Sequence, residues 1–270
     1  MIRRSLAALA VLFLMTGVGC ATSPLGRTQF LLQSETEMAA MGIAAFDEMK
    51  TTTPLSTNAR QRAYVQCIAD SITNVLTPQD MGVVVVQGWE TELFADDSAN
   101  AFALPGGRMG VHTGLLNVAT TPSQLAAVMG HEVGHVLARH GNERVSQQYA
   151  AQGGLVVASI FTGSQTPESQ QLLSVLGVGA QVGLMKFSRD HESEADRLGL
   201  RLMARAGFDP QEAVTLWENM SRASSGQRPP EILSTHPSGA TRIARLSAAM
   251  PEAMQLYETA RAQGRRPNCR

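Results

Sequence analysis

Apolar residues recur at helical spacing over two early stretches of the 270-residue chain. Leu31, Leu32, Met38, Met41, Ala45 and Met49 mark the first, between Phe30 and Lys50; Tyr64, Val65, Ile68, Ile72 and Val75 mark the second, between Ala59 and Leu76. The spacing predicts two amphipathic helices. The run GVVVVQGW, Gly82 to Trp89, is β-branched and bounded by glycines, and it predicts a buried strand. In ANAFALPGGRMGVH, residues 99–112, a Pro-Gly-Gly turn separates two further strands.

Thr121 is placed to cap the next helix, with Pro122 at its first position and Gln124 completing a capping box. The pattern extends this helix to about His140, before Gly141. Residues 151–187 carry two apolar pieces, LVVASIF and LLSVLGVGAQVGLM, each shorter than the roughly 20 residues a bilayer core demands. They predict a helical hairpin, packed in the core or grazing a membrane. Ser188 can cap another helix that runs to about Ala206, where Gly207 stops it with Pro210 beyond. A further helix opens at Asp209 or Pro210 and contains Trp217, RASSGQRPP reads as a loop, and a last helix starts at about Ser238. The pattern is that of an α+β chain, mainly helical, with a small mixed β-sheet ahead of residue 113. Its length suits one substantial core.

The N-terminus changes this picture. Arg3 and Arg4 precede an apolar run from Leu6 to Met15, as in an export signal. TGVGC, ending in Cys20, resembles the bacterial lipobox, with Gly17 where that pattern has a branched apolar residue. The expected layout is a signal peptide over 1–19, a lipidated N-terminus and polar tether over 20–30, one domain over 31–250 and a C-terminal tail over 251–270. Three cysteines are an odd number for an exported chain. With Cys20 lipidated, Cys67 and Cys269 remain to pair in an oxidising compartment. Lys plus Arg number 22 against 23 Asp plus Glu, so no net field collects a polyanion and no nucleic-acid partner is expected.

The candidate chemistry lies in GHEVGH, Gly130 to His135. Residues four apart share a helix face, so His131 and His135 can direct two imidazoles at one cation. Glu132 lies about 100° further round, where a carboxylate can take a proton from water. The same spacing also arises as a surface pair on a polar helix. The cap, the apolar flanks Leu125, Val128, Val136 and Leu137, and a candidate third ligand favour the metal. That candidate is in HESEAD, where Glu192 and Asp196 are again four apart. Glu194 reads as an exposed helix carboxylate paired with Arg197 or Arg201.

Together, H-E-x-x-H and E-x-x-x-D resemble the gluzincin peptidases of the HtpX and CaaX-prenyl-protease type, and within them the periplasmic LoiP- and BepA-like lipoprotein peptidases. The likeness runs from the second helix to Leu246 and takes in NAFALPGG and the THP of Thr235 to Pro237. It implies a zincin-type domain holding one zinc per chain through His131, His135 and Glu192, with Asp196 supporting the site. It also implies that Asn100, Ala101, Phe102 and Ala103 form an edge strand above the cleft, where an extended substrate can pair through main-chain bonds; an interior strand is the alternative. Two imidazoles and a carboxylate leave zinc positive and one position open, so Glu132 is the expected general base.

His236 and Arg242 are the candidates for stabilising an oxyanion. Otherwise Arg242 supports the ligands beside Asp196 or belongs to a solvated helix face, and His236 belongs to a loop. By likeness to the self-inhibiting loop of the BepA-like members, His236 can instead fill the open position. His140 is expected to complement the helix dipole, His112 to close a strand, and His191 to face away from the site, none of them binding zinc. The resemblance and the export signal imply a zinc endopeptidase in the periplasm, anchored to the outer membrane, acting on unfolded or misassembled envelope polypeptides. The rival expectation is a chaperone or scaffold lipoprotein of the outer-membrane assembly machinery with a self-inhibited zinc site.

Overall fold

A computed structural model describes residues 20–150, 187–223, 231–236 and 240–270. The export signal, the expected hairpin over 151–186, the loop over 224–230 and residues 237–239 lie outside the described residues.

The segment expected to be a polar tether is a hairpin: β1 (Cys20–Thr22) pairs antiparallel with β2 (Thr28–Phe30). Gly26, at φ 87°, supplies its turn, and Ser23 and Gln29 are buried. Two helices follow. Ser34 and Glu37 form a reciprocal capping box at the start of α1 (Glu35–Thr52), and the Asn58 side chain accepts from Gln61 N to open α2 (Ala59–Thr73).

The expected buried strand over Gly82–Trp89 is displaced along the chain. Thr77 and Asp80 cap a single helical turn, α3 (Pro78–Met81), which ends at Gly82 with φ 51°. Val83 is then 63% exposed, and the strand proper is β3 (Val86–Phe94), buried at Leu93 and Phe94. β-Branched residues favour extended backbone anywhere in the run; pairing with a neighbour chooses the register. That neighbour is β5 (Gly106–His112), parallel to β3 and antiparallel to β4 (Ala101–Leu104), so the sheet order β3-β5-β4 leaves β4 at an edge. Phe46 from α1 meets Phe94 and Phe102 edge-on and holds this sheet against the helix.

A 3₁₀ turn (Thr113–Asn117) leads into α4 (Pro122–Leu137). Thr121 accepts from Gln124 N as expected, but the Gln124 side chain reaches back to Thr120 N rather than to the cap residue. Every residue from Gln124 to Leu137 is buried, so α4 is the central helix of the core. It stops three residues short of His140. Arg139 takes φ 55°, and helical backbone resumes over residues 140–150. The hairpin causes this break to persist: Gln29 Nε2 donates to Ala138 O at 2.7 Å, and Arg139 Nη2 donates to Thr22 O at 2.8 Å and to Gln29 Oε1 at 2.9 Å. A left-handed residue with a side chain is costly, and these three bonds offset the cost.

Ser188 caps α5 (Arg189–Arg205), and Gly207, at φ 90°, ends it as the sequence predicts. α6 (Gln211–Ala223), the short α7 (Ile232–Thr235) and α8 (Ala240–Ala262) complete the chain, with α8 continuing through Pro251. Cys67 on α2 is joined to Cys269 in the tail, with Cα atoms 5.6 Å apart. Among the described residues no helix is long and apolar enough to cross a membrane.

Candidate metal centre

Two helices meet at backbone distance to make the centre. A Cβ on Gly130 would lie 2.9 Å from Gly199 O, and one on Gly134 would lie 2.8 Å from Ala195 O. Glycine at these positions lets α4 and α5 approach closely enough for Glu192 of α5 to reach both histidines of α4. His131 Nε2 and His135 Nε2 stand 3.0 Å apart, and each is 3.5 Å from a different oxygen of Glu192. His236, at the end of α7, brings Nδ1 within 2.9 Å of Glu192 Oε1 and 3.2 Å of His131 Nε2. One ligand atom from each of His131, His135, Glu192 and His236 lies within 4.8 Å of all the others, and all four residues are buried.

This donor set fits zinc. Imidazole nitrogens and a carboxylate oxygen, all from buried side chains, lie within reach of one ion. Electrostatics agree. Burial and Arg242 both act to lower His131, yet the carboxylates of Asp196 and Glu192 outweigh them and raise its pKa to about 9. The two carboxylates thus favour positive charge where the ring nitrogens meet. Burial would raise Glu192, but hydrogen bonds from His131, His135 and His236 hold it far below the usual carboxylate range. Burial pushes His135 well below its ordinary value and keeps it a neutral ligand.

Glu132 sits beside the donors, buried, with Oε1 free of any hydrogen bond and 3.5 Å from His236 Nε2. Burial raises its pKa, which makes the carboxylate a stronger base. Asp196 Oδ1 is 2.9 Å from His131 Nδ1, the orientation a ligating imidazole requires.

Three expectations are corrected here. Arg242 is not on a solvated face: it is 4% exposed, donates to Asp196 Oδ1 at 2.6 Å and to Glu192 Oε2 at 2.9 Å, and lays its guanidinium 3.4 Å over the Trp217 ring. It therefore braces the ligands from behind, and the cleft lining contains His236 but not Arg242. Glu194 is buried and does not pair with Arg197 or Arg201; it accepts from Ser23 Oγ, Leu25 N, Arg27 Nε and His140 Nε2. His140 is not at the C-terminal end of α4, which stops at Leu137; it opens the resumed helix, fully buried, with Nδ1 only 2.9 Å from His135 Nδ1. His191 and His112 stay outside the donor set, although His191 is buried, 3.2 Å from Glu143.

A cleft runs from this centre along the edge strand. Asn100 to Leu104, Met38, Glu132, His135 and His236 line it. The Phe187 ring stacks on His135 at 3.9 Å and on His236 at 5.3 Å, closing one end. Ile232 N donates to Ala99 O at 3.1 Å, tying the segment that bears His236 to the start of this strand.

Local periodicity accounts for His131 and His135, and the family resemblance for Glu192. The roles of His140, Glu194, Arg242 and Trp217 were not legible in that way. The one signal available was the spacing of small residues, Gly130 and Gly134 on one helix and Ala195 and Gly199 on the other, which marks a close helix crossing.

Peptidase family M48 matches this chain over residues 59–250. Mitochondrial metalloendopeptidase OMA1 of Schizosaccharomyces pombe is 39% identical over 175 residues, covering 63% of this chain and 49% of that one. Metalloendopeptidase OMA1, mitochondrial, of Bos taurus is 33% identical over 245 residues, covering 87% of this chain and 45% of its own. The beta-barrel assembly-enhancing protease of Escherichia coli K12 is 38% identical over 157 residues, covering 56% and 32% respectively. The chain spans about half or less of the length of these relatives. The likeness therefore reaches mitochondrial as well as bacterial peptidases, wider than the envelope branch the sequence resembles.

Proposed function

The chain belongs to peptidase family M48, and from that premise we propose that it is a zinc-dependent endopeptidase that cuts unfolded or misassembled proteins. One observation carries the reading: a free, buried Glu132 oxygen lies beside the convergent donors of His131, His135 and Glu192. Zinc held there supplies a Lewis acid that polarises a peptide carbonyl and makes a water acidic near neutral pH. Glu132 takes that proton on Oε1 and returns it to the leaving amine. Asp196 and Arg242 keep the ligands oriented, and the open edge of β4 holds an extended polypeptide by main-chain bonds with little demand on its sequence. Unfolded chains meet that requirement and folded ones do not.

The compartment is part of the same proposal. The export signal and the cysteine at position 20 support an envelope lipoprotein, with outer-membrane assembly machinery as a partner, and mass spectrometry of the N-terminus in the membrane fraction tests it. An N-terminus other than lipidated Cys20 would sink the anchor.

Metal analysis with an unfolded-protein cleavage assay tests the activity. Wild-type protein should hold one zinc, and Glu132→Gln should keep it while losing proteolysis by about 10²- to 10⁴-fold. Full activity in that variant would overturn the assignment.

A second reading has its own observation. His236 is a member of the donor set and lies near Glu132 as well, which supports a reading in which His236 fills the open position of a chaperone or scaffold with a self-inhibited site. On that reading His236→Ala raises basal cleavage. A fall in turnover larger than the change in substrate affinity would instead make His236 an oxyanion donor.

A further inference from the structure

His135 lacks the carboxylate that orients its partner His131, and what stands in that place is a second imidazole. We propose that His140 is a positioning residue that fixes His135 through Glu194, which the hairpin over residues 20–30 holds in place. This rests on the metal centre described above and not on peptide hydrolysis.

A ligating imidazole offers one nitrogen to the metal and is held by a fixed acceptor at the other. His135 turns Nε2 toward the donor set, 3.0 Å from His131 Nε2, so its proton belongs on Nδ1. The group facing that Nδ1 is His140 Nδ1, at 2.9 Å. Two facing ring nitrogens share one proton, so His140 Nδ1 is the bare acceptor and its own proton sits on Nε2. That nitrogen meets Glu194 Oε2 at 3.1 Å. A carboxylate ends the relay because it only accepts. The hairpin supplies the rest of its shell: Ser23 Oγ, Leu25 N at 3.3 Å and Arg27 Nε at 3.2 Å all donate to Glu194.

Both ends of the relay are anchored. Arg27 grips Glu143 with two bonds, at 2.7 and 2.6 Å, and Glu143 in turn meets His191 Nε2 at 3.2 Å. The His191 ring stacks on His140 with centroids 4.4 Å apart. The backbone is bent to suit. Continued helix would carry residue 140 about 140° round the axis from His135. The left-handed turn at Arg139, held by Thr22 and Gln29 of the hairpin, brings His140 back under His135 instead.

Chelator competition on the purified protein, reading zinc affinity and release rate, tests this. His140→Phe preserves a ring against His191 but removes both nitrogens, and zinc should bind about 10- to 100-fold more weakly. Glu194→Gln should weaken binding in the same direction, and His140→Asn, which restores an acceptor near Nδ1, should recover part of the loss. Wild-type affinity in folded His140→Phe and Glu194→Gln would overturn the proposal. Should those variants fail to fold, ¹⁵N NMR of zinc-loaded wild type decides it: His140 should carry its proton on Nε2, and a proton on Nδ1 would overturn the relay. A wild-type protein that takes up no zinc would overturn the metal centre and this role together, whereas intact zinc binding without proteolysis leaves the role standing and sinks only the peptidase reading.

Discussion

Gly199 lies against His131 so closely that a methyl group on its Cα would come 2.6 Å from the His131 backbone nitrogen. The third ligand depends on that contact. Glu192 is carried on the same helix as Gly199, seven residues earlier, and it meets the two histidines only because the helices touch backbone to backbone.

Gly199→Ala should therefore damage the metal site from a position that touches no metal ligand's side chain. Forcing the helices apart is expected to cost about 1–3 kcal/mol of stability and to lower zinc affinity. Denaturant unfolding of metal-free protein, with zinc content measured alongside, checks both. Unchanged affinity would mean that the helices part without moving Glu192.

Arg242→Met should be worse than an ordinary surface change. It leaves the buried Asp196 and Glu192 without their guanidinium, and breaking a buried pair in this way costs about 3–5 kcal/mol. Arg242→Lys retains the charge but gives up the planar fork and the Trp217 stack, so it should rescue only part of the loss. A thermal melt of both variants measures this, and a fully stable Arg242→Met would refute it.

Cys67→Ser combined with Cys269→Ser should lower stability by about 2–5 kcal/mol, since the bridge closes a loop of most of the chain. The unmodified protein, denatured without reductant, should react with no thiol reagent at these positions. Two reactive thiols there would be decisive against the bond.

Acid should destabilise the protein partly through Glu143. Burial acts to raise its pKa, but hydrogen bonds from His191, Arg27 and Gln29 hold it well below the ordinary value of 4.5. In the unfolded chain the same carboxyl titrates near that ordinary value. Below it the unfolded state binds the extra proton, so stability that is fully present above about pH 4.5 is lost as the pH falls toward the folded pKa. Glu143→Gln should flatten this acid limb in unfolding curves of metal-free protein. An unaltered slope would show that other carboxyls carry it.

What the sequence by itself determined was local. Helical repeat distance places His131 above His135 and sets Glu132 to one side, whatever surrounds the helix. The caps at Thr121 and Ser188 and the stop at Gly207 are equally local, because each satisfies orphaned backbone groups within a few residues. Cys67 and Cys269 were legible by counting. What only the tertiary structure decided was which polar side chains are buried. Glu194 and Arg242 carry charges that propensity assigns to solvent, and nothing in their neighbouring residues says otherwise. Their burial is a property of two surfaces meeting: α5 on α4 at the glycine crossing, and the N-terminal hairpin on both. The end of α4 and the register of β3 have the same origin. Gln29 and Thr22 hold the break at Arg139 from more than a hundred residues away, and β5 selects the paired residues of β3 from a run in which several registers satisfy local propensity. Periodicity is a property of one backbone, and desolvation requires a partner that the chain supplies only once it has folded.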